Sequence, residues 1–303
     1  MAIKITFHSH KGGCGKTMLT YSSSVYLAKH NYKVLCIDAD TQGSLSNIFS
    51  HTWTKKVTQD ENTGKDVFWE IENTLKLDGV ATKDIFERDL DLDNLNILKT
   101  THGVDLIFIE PNDFGAINQI NNQINVARFI RQLNSIADRW DFIFIDLPPT
   151  AIEHVVSLLG SVDYIVCPQT VAANICAISG EIMLLNGING SDKLLGVVLN
   201  QLEKKSKEHF YAERGLRNAL GPKIFSSTIK HSTTIDTSVA RNMEISKVPG
   251  GNQASKDITA VVEEMLYRIY TKQAKDICEG RFIGTDIEKN RVIDFIRSQR
   301  KGN

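Results

Sequence analysis

The sequence predicts an α/β fold, a doubly wound and mainly parallel sheet flanked by helices. Three observations carry that expectation. Short apolar runs recur along the 303 residues, and several are apolar at nearly every position, as in Phe142-Ile143-Phe144-Ile145 and Leu194-Leu195-Gly196-Val197-Val198-Leu199. Runs of this kind suit strands buried on both faces, as in a parallel sheet covered by helices. Helix-like stretches alternate with the runs from one end of the chain to the other, which is the pattern of a doubly wound domain. A glycine-rich segment separates the first apolar run from the first helical stretch.

In order, the runs predict strands over 3–8, 33–39, 105–110, 141–147, 163–168, 194–200 and 223–229. Helical patterns lie between them over 16–30, 116–137, 152–159, 176–185 and 204–220. A further helix over 255–272 follows the last strand, with Ser255 as its N-cap. Residues 51–100 fit less well. They are polar and acidic, with 13 Asp+Glu against 7 Lys+Arg over 51–110, and read as a loop with short helices inserted after the second strand. The expected organisation is one domain over 1–275 and a helical tail over 276–303, whose helix spans 286–298.

Composition narrows the class. At 42% hydrophobic and 23% charged, with 6 Pro and 20 Gly, the chain is neither disordered nor collagen-like. No apolar run approaches the roughly 18 residues of a spanning helix, and the opening residues alternate like a strand without a signal-peptide pattern. The five cysteines are scattered with no C-x-x-C spacing, which argues against a disulfide framework or a zinc site. A reduced, cytoplasmic protein is expected. The net charge of -1 conceals an asymmetry: residues 201–303 hold 19 Lys+Arg and 13 Asp+Glu, and residues 1–200 hold 16 and 23. The positive surplus of the C-terminal part points toward a polyanion-facing surface.

The segment richest in chemistry is His10-Lys11-Gly12-Gly13-Cys14-Gly15-Lys16-Thr17. Between a strand and a helix, its glycines let successive N–H groups converge on phosphate oxygens, and the helix start adds its positive dipole end. Lys16 is positioned for the β- and γ-phosphates and Thr17 for magnesium. The general pattern G-x-x-x-x-G-K-[ST] would need glycine where His10 stands, so this is the deviant Walker A motif, with a second lysine, Lys11, at the start of the loop. The second motif is Ile37-Asp38-Ala39-Asp40-Thr41-Gln42-Gly43-Ser44, ending a strand where ligands bind in doubly wound sheets. Asp38 and Asp40, two apart on a strand, share a face. The third, Asp141 to Thr150, puts Asp146 after four apolar residues and before Pro148-Pro149, as in a Walker B strand.

On these motifs, most specifically 11–17, 37–44 and 141–150, the chain resembles the ParA/Soj branch of the ParA/MinD superfamily of ATPases, over roughly residues 2–270. The resemblance implies an ATP- and Mg²⁺-dependent ATPase that partitions DNA. It implies catalytic roles for Lys11, Lys16 and Asp40, with Asp40 orienting the attacking water. Nucleotide contacts are implied for Lys11, Gly12, Gly13, Cys14, Gly15, Lys16, Thr17, Met18 and Asn200, the last at adenine, and metal contacts for Thr17, Asp38 and Asp146. It further implies a homodimer that sandwiches two ATP molecules, with Lys11 reaching the partner's nucleotide. Non-specific binding of double-stranded DNA would use basic residues of the C-terminal part, with Lys204, Lys205, Lys207, Arg214, Arg217, Lys223, Lys230 and Arg241 as candidates, on a nucleoid-associated protein. No arginine finger stands near the motifs, which fits slow basal turnover stimulated by a ParB-like centromere-binding protein.

The pattern is departed from in two places. Ile229-Lys230-His231 stands where relatives often have Ile-Pro-Arg, and no helix-turn-helix precedes the phosphate loop, so operator-specific binding is not expected. The alternative from another class is a MinD-like membrane-cycling ATPase. It rests on the similarity of Arg291-Val292-Ile293-Asp294-Phe295-Ile296-Arg297 to a short basic amphipathic helix, although Asp294 interrupts the apolar cluster. A metabolic or iron–sulfur enzyme on the same scaffold is the third reading. Cys167 and Cys176 are the cysteines nearest in sequence for a shared cluster, and each reads better as a small buried residue.

Overall fold

The computed structural model describes residues 2–50, 77–109, 122–150, 153–171, 193–203, 205–241 and 243–301, with short strands between 52 and 72 and isolated positions between 178 and 187. The first elements are β1 (Ile3–Phe7), α1 (Lys16–Lys29), β2 (Val34–Asp38) and α2 (Ser44–Ser50). Then come β3 (Thr52–Trp53), β4 (Thr58–Gln59), β5 (Asp66–Phe68), β6 (Ile71–Glu72), α3 (Thr82–Glu87), β7 (Leu98–Lys99) and β8 (Asp105–Ile107). The second half holds α4 (Gln123–Ile136), β9 (Phe142–Asp146), α5 (Glu153–Ser161), β10 (Tyr164–Thr170), β11 (Leu194–Leu202), α6 (Lys207–Leu220), β12 (Ile224–Lys230), α7 (Thr233–Ala240), α8 (Asn252–Cys278) and α9 (Asp286–Lys301).

Eight strands form the main sheet in the order β12-β11-β10-β1-β9-β2-β8-β7. Every pairing is parallel except that of β7 with β8. The alternation of side chains along a strand then builds two cores. Ile143 and Ile145 of β9 join Phe129 and Leu133 of α4 and Leu158 of α5 on one face. Phe142 and Phe144 join Leu19 of α1 and Val261, Met265 and Ile269 of α8 on the other. This two-sided burial explains why β2 and β9 lack polar positions until Asp38 and Asp146, which end them side by side in register.

Several boundaries differ from the sequence expectation. In the insert, α3 is a short helix as expected, whereas two antiparallel ladders, β3 with β6 and β4 with β5, and the edge strand β7 stand where no strand is expected. Strands of two or three residues are too short to show a period, and β7 returns on β8 through a tight turn with Gly103 at φ 75°. Helix α8 starts at Asn252, not Ser255, and runs on to Cys278. Gly251 stands at the N-cap, where only glycine fits: a Cβ there would come 1.9 Å from the Ile245 carbonyl oxygen. Helix α4 begins behind Asn122, whose side chain accepts the Ile124 N–H. The predicted extension over 116–121 and most of the helix predicted over 176–185 lie outside the described residues.

Helix α8 is pinned to the sheet edge by two side chains. Glu264 accepts the N–H groups of Ser226 (2.9 Å) and Ser227 (2.8 Å). Arg268 donates to the carbonyls of Leu195, Pro222 and Ile224 and covers the Phe225 ring at 4.1 Å. Gly196 makes room for this knot. It has φ 151°, and an added Cβ would meet the Lys223 carbonyl at 2.6 Å and Arg268 at 2.8 Å. Gly196→Ala is expected to cost about 2–3 kcal/mol from steric overlap and backbone strain, read as a lowered urea midpoint. A midpoint equal to the parent's would contradict this packing.

Helix α9 lies on α8. Val292 is buried, Phe295 meets the Tyr270 ring at 4.5 Å, and Arg291 pairs with Asp141 at 2.7 Å.

Candidate functional site

The site forms where the C-terminal ends of β1, β2, β9 and β11 meet. β1 delivers the chain at Phe7, and α1 takes it up at Lys16. Between them Gly13 (φ 71°) and Gly15 (φ 95°) take the left-handed conformations that other residues avoid. Gly15 has a second constraint, because a Cβ would stand 2.3 Å from Asn200 Nδ2. The loop carbonyls are held from behind by neighbouring amides: Asn200 Nδ2 donates to Cys14 O at 2.8 Å and Gln201 Nε2 to Gly13 O at 2.9 Å. Gln201 sits at φ 57°, an uncommon conformation for a residue with a side chain.

The chemistry-bearing side chains of the loop turn onto the protein itself. Lys16 is buried, with Nζ 3.3 Å from Lys11 O. Thr17 Oγ1 donates to Asp146 Oδ2 at 2.7 Å. Lys11 is exposed and its Nζ donates to Thr170 Oγ1, at the end of β10, at 3.0 Å. Cys14 is buried and Met18 nearly so. Beneath the loop His8 is buried edge-on to His10, and burial, with the charges of His10 and Lys16, lowers its pKa to about 3. That ring is neutral at ordinary pH, so it adds no charge under the loop.

Two carboxylates face each other at the strand ends. Asp38 is fully buried and accepts from Ser46 N (2.8 Å), Ser46 Oγ (2.7 Å) and Asp40 N (3.2 Å). Burial raises its pKa to about 6 against those hydrogen bonds. Asp146 is raised well above the usual carboxylate range, first by burial and then by the charge of Asp38. Its Oδ1 is buried without a partner among the described residues. Two crowded carboxylates, an unsatisfied oxygen and the Thr17 hydroxyl form a set of hard oxygen donors that fits a divalent cation such as magnesium. Asp40 is also buried, its Oδ1 accepting the Gln42 N–H at 3.0 Å. Lys16, Thr17, Asp40, Pro149, Asn200 and Ile235 help to line one cavity of about 600 Å³ that spans the loop and α7.

The basic candidates separate. Lys205, Lys207, Lys223 and Arg214 are exposed, and Lys204 lies outside the described residues. Arg217 is half-buried, bonded to Glu213 and to the carbonyls of Phe225 and Ser226, which ties α6 to β12. Lys230 pairs with Asp257 at 3.0 Å and lines the cavity. Arg241 is half-buried at the end of α7. Gln201, Thr170 and Ser46 did not stand out in the sequence. The one available signal was the amide-bearing pair Asn200-Gln201 at the end of an apolar run.

A glycine loop ending in Lys-Thr, with strand-end acids beside it on a doubly wound sheet, defines the phosphate-loop ATPase class. A family model described as an AAA domain matches residues 2–200, and the chain belongs to that family, as a ParA/MinD-type phosphate-loop ATPase. It is 22% identical over 271 residues to the virulence plasmid ParA family protein pGP5-D of Chlamydia psittaci, covering 89% of this chain and 96% of that protein. To the sporulation initiation inhibitor protein Soj of Bacillus subtilis it is 23% identical over 253 residues, covering 81% and 87%. Among solved structures, a putative plasmid partition protein of Borrelia burgdorferi B31 bound to AMPPNP shares the fold with a TM-score of 0.67 at 20% identity, covering 88% of this chain and all of that one.

The amide clasp makes its own prediction. Gln201→Gly keeps the backbone conformation and removes the bond to Gly13. Nucleotide Kd should rise about 2- to 12-fold, the worth of one hydrogen bond, while the melting temperature stays near the parent's. An unchanged Kd would remove Gln201 from the site.

Proposed function

We propose that the chain is an ATP-dependent DNA-partitioning ATPase whose ATP-bound homodimer holds double-stranded DNA without sequence preference and releases it on hydrolysis. The observation that carries this reading is the pair of lysines in one loop, Lys16 turned inward and Lys11 exposed at the rim on a single hydrogen bond to Thr170.

In this reading ATP enters the cavity with its phosphates over the N–H groups of residues 12–17. Lys16 leaves Lys11 O for the β- and γ-phosphate oxygens. Thr17, Asp38 and Asp146 would hold magnesium, which when bound would neutralise charge on the phosphates. Asp40 accepts a hydrogen bond from the attacking water and aims it at the γ-phosphorus, and Asn200 keeps the loop in shape and borders the base. Lys11 exchanges Thr170 for the partner subunit's nucleotide, so the dimer forms when ATP is present and loosens when the γ-phosphate leaves. A ParB-like protein supplies stimulation. The exposed cations Lys205, Lys207 and Arg214 would contact DNA phosphates, which gives affinity without sequence readout.

The names of the relatives support partition over the other readings. Against the membrane alternative, Val292 and Phe295, two of the four apolar side chains of its segment, pack against α8. No described helix is long and apolar enough to cross a membrane. The test is duplex binding by fluorescence anisotropy with ATP, ADP or no nucleotide. Binding should require ATP, ignore sequence, and weaken steeply between about 50 and 200 mM salt. Binding that is equal in all three nucleotide states, or absent in all, would contradict the proposal.

A further inference from the structure

Helix α6 presents an outward face that neither its packing nor the nucleotide site uses. Lys207, Phe210, Tyr211, Arg214 and Asn218 recur at the spacing of one helical face, and all five are exposed. Phe210 is 58% and Tyr211 69% accessible, and their rings meet edge to face at 5.6 Å. The rest of the helix is fixed: Leu216 is buried on the opposite side, and Arg217, on the flank next to Phe210, is bonded to β12.

The chemistry of this face is specific. A cation stands on either side of the two rings, and no acid shares the stripe. The neighbouring acids are engaged elsewhere, Glu208 with Ser206 and Glu213 with Arg217. Cations match phosphates, whereas exposed rings match the flat faces of bases. In a duplex those faces are stacked on one another and closed to a side chain. Both halves are satisfied together by a strand whose bases are unpaired.

We propose that the outward face of α6 is a binding site for single-stranded DNA, with Phe210 and Tyr211 stacking on bases and Lys207 and Arg214 on the flanking phosphates. This rests on the DNA-partner reading above and adds a preference for unpaired strands to it. A lipid surface fits poorly, because two rings between charges make a narrow apolar strip and the helix cannot roll on its anchored side. A second copy of the face would bring like charges together.

The test compares oligo-dT with a duplex of equal length on the ATP-loaded full chain, by anisotropy across a salt series. The parent should bind oligo-dT more tightly than the duplex. The double variant Phe210→Ala, Tyr211→Ala should lose about 5- to 150-fold per stacked base on oligo-dT and less than about twofold on the duplex. The conservative exchange Phe210→Tyr, Tyr211→Phe should retain the preference. Lys207→Ala, Arg214→Ala should weaken both DNAs and reduce the salt slope by about two phosphates. The inference is overturned if the parent shows no preference, if the aromatic variant binds oligo-dT like the parent, or if that variant loses both DNAs equally or its ATP-dependent mass in sedimentation. Failure of the parent to bind either DNA with ATP would instead overturn the partition reading on which it rests.

Discussion

Lys16→Ala is expected to abolish ATP-dependent dimerisation and to weaken ATP binding by roughly a hundred- to a few-thousand-fold. Lys16 is 7% accessible and points along the loop, with Nζ 3.3 Å from the Lys11 carbonyl. Its ammonium is the buried cation closest to where phosphates would sit, and Lys11 is held away from them on Thr170. Removing one partner of a buried, hydrogen-bonded charge pair costs about 2–5 kcal/mol, and a triphosphate left without this contact should fall toward the upper part of that range. The fold should survive, because Lys16 pairs with no carboxylate among the described residues and its backbone belongs to a regular helix. A fluorescent ATP analogue measures the affinity and sedimentation the mass. An alanine variant that still doubles its mass with ATP would refute the role.

Asp40→Ala is the second large effect, and it separates binding from turnover. Asp40 is buried at 8% accessibility, lines the cavity and bonds the Gln42 N–H, whereas Asp38 and Asp146 at the strand ends have no accessible surface. Its loss leaves the oxygen donors for magnesium intact, so ATP should bind with little change. On the role proposed for Asp40, the attacking water would lose the group that orients it, and hydrolysis should fall about 10²- to 10⁴-fold. ATP-bound dimers would then accumulate and stay on DNA. Single-turnover hydrolysis and retention on a DNA surface measure the two halves, and rapid turnover by the variant would sink the assignment.

Much of this site was legible because its residue types answer to backbone constraints. Gly13 and Gly15 stand where φ is positive, and Asp38 and Asp146 interrupt strands that are otherwise apolar, so they show in the chain itself. Gln201, Thr170 and Ser46 were not legible. Each is a common polar residue whose role comes from its contact: Gln201 meets Gly13 across 188 positions and Thr170 meets Lys11 across 159, whereas Ser46 serves Asp38 from the next helix. The same holds for the basic surface. Arg217 and Arg214 look alike in sequence, yet the fold turns Arg217 onto the carbonyls of β12 and leaves Arg214 outside. In the insert the strands are too short for periodicity to speak, whereas the nearly unbroken apolar runs of β2, β9 and β11 were readable because both faces are buried.

The central claim is that ATP itself joins two copies of this chain. Sedimentation velocity of the Asp40→Ala protein with ATP, with ADP and without nucleotide tests it most directly, because stalled hydrolysis removes the complication of turnover. The account predicts a doubled mass with ATP alone, and a monomer again when Lys11→Ala is added. A monomer in all three conditions, or a dimer indifferent to nucleotide, would contradict it.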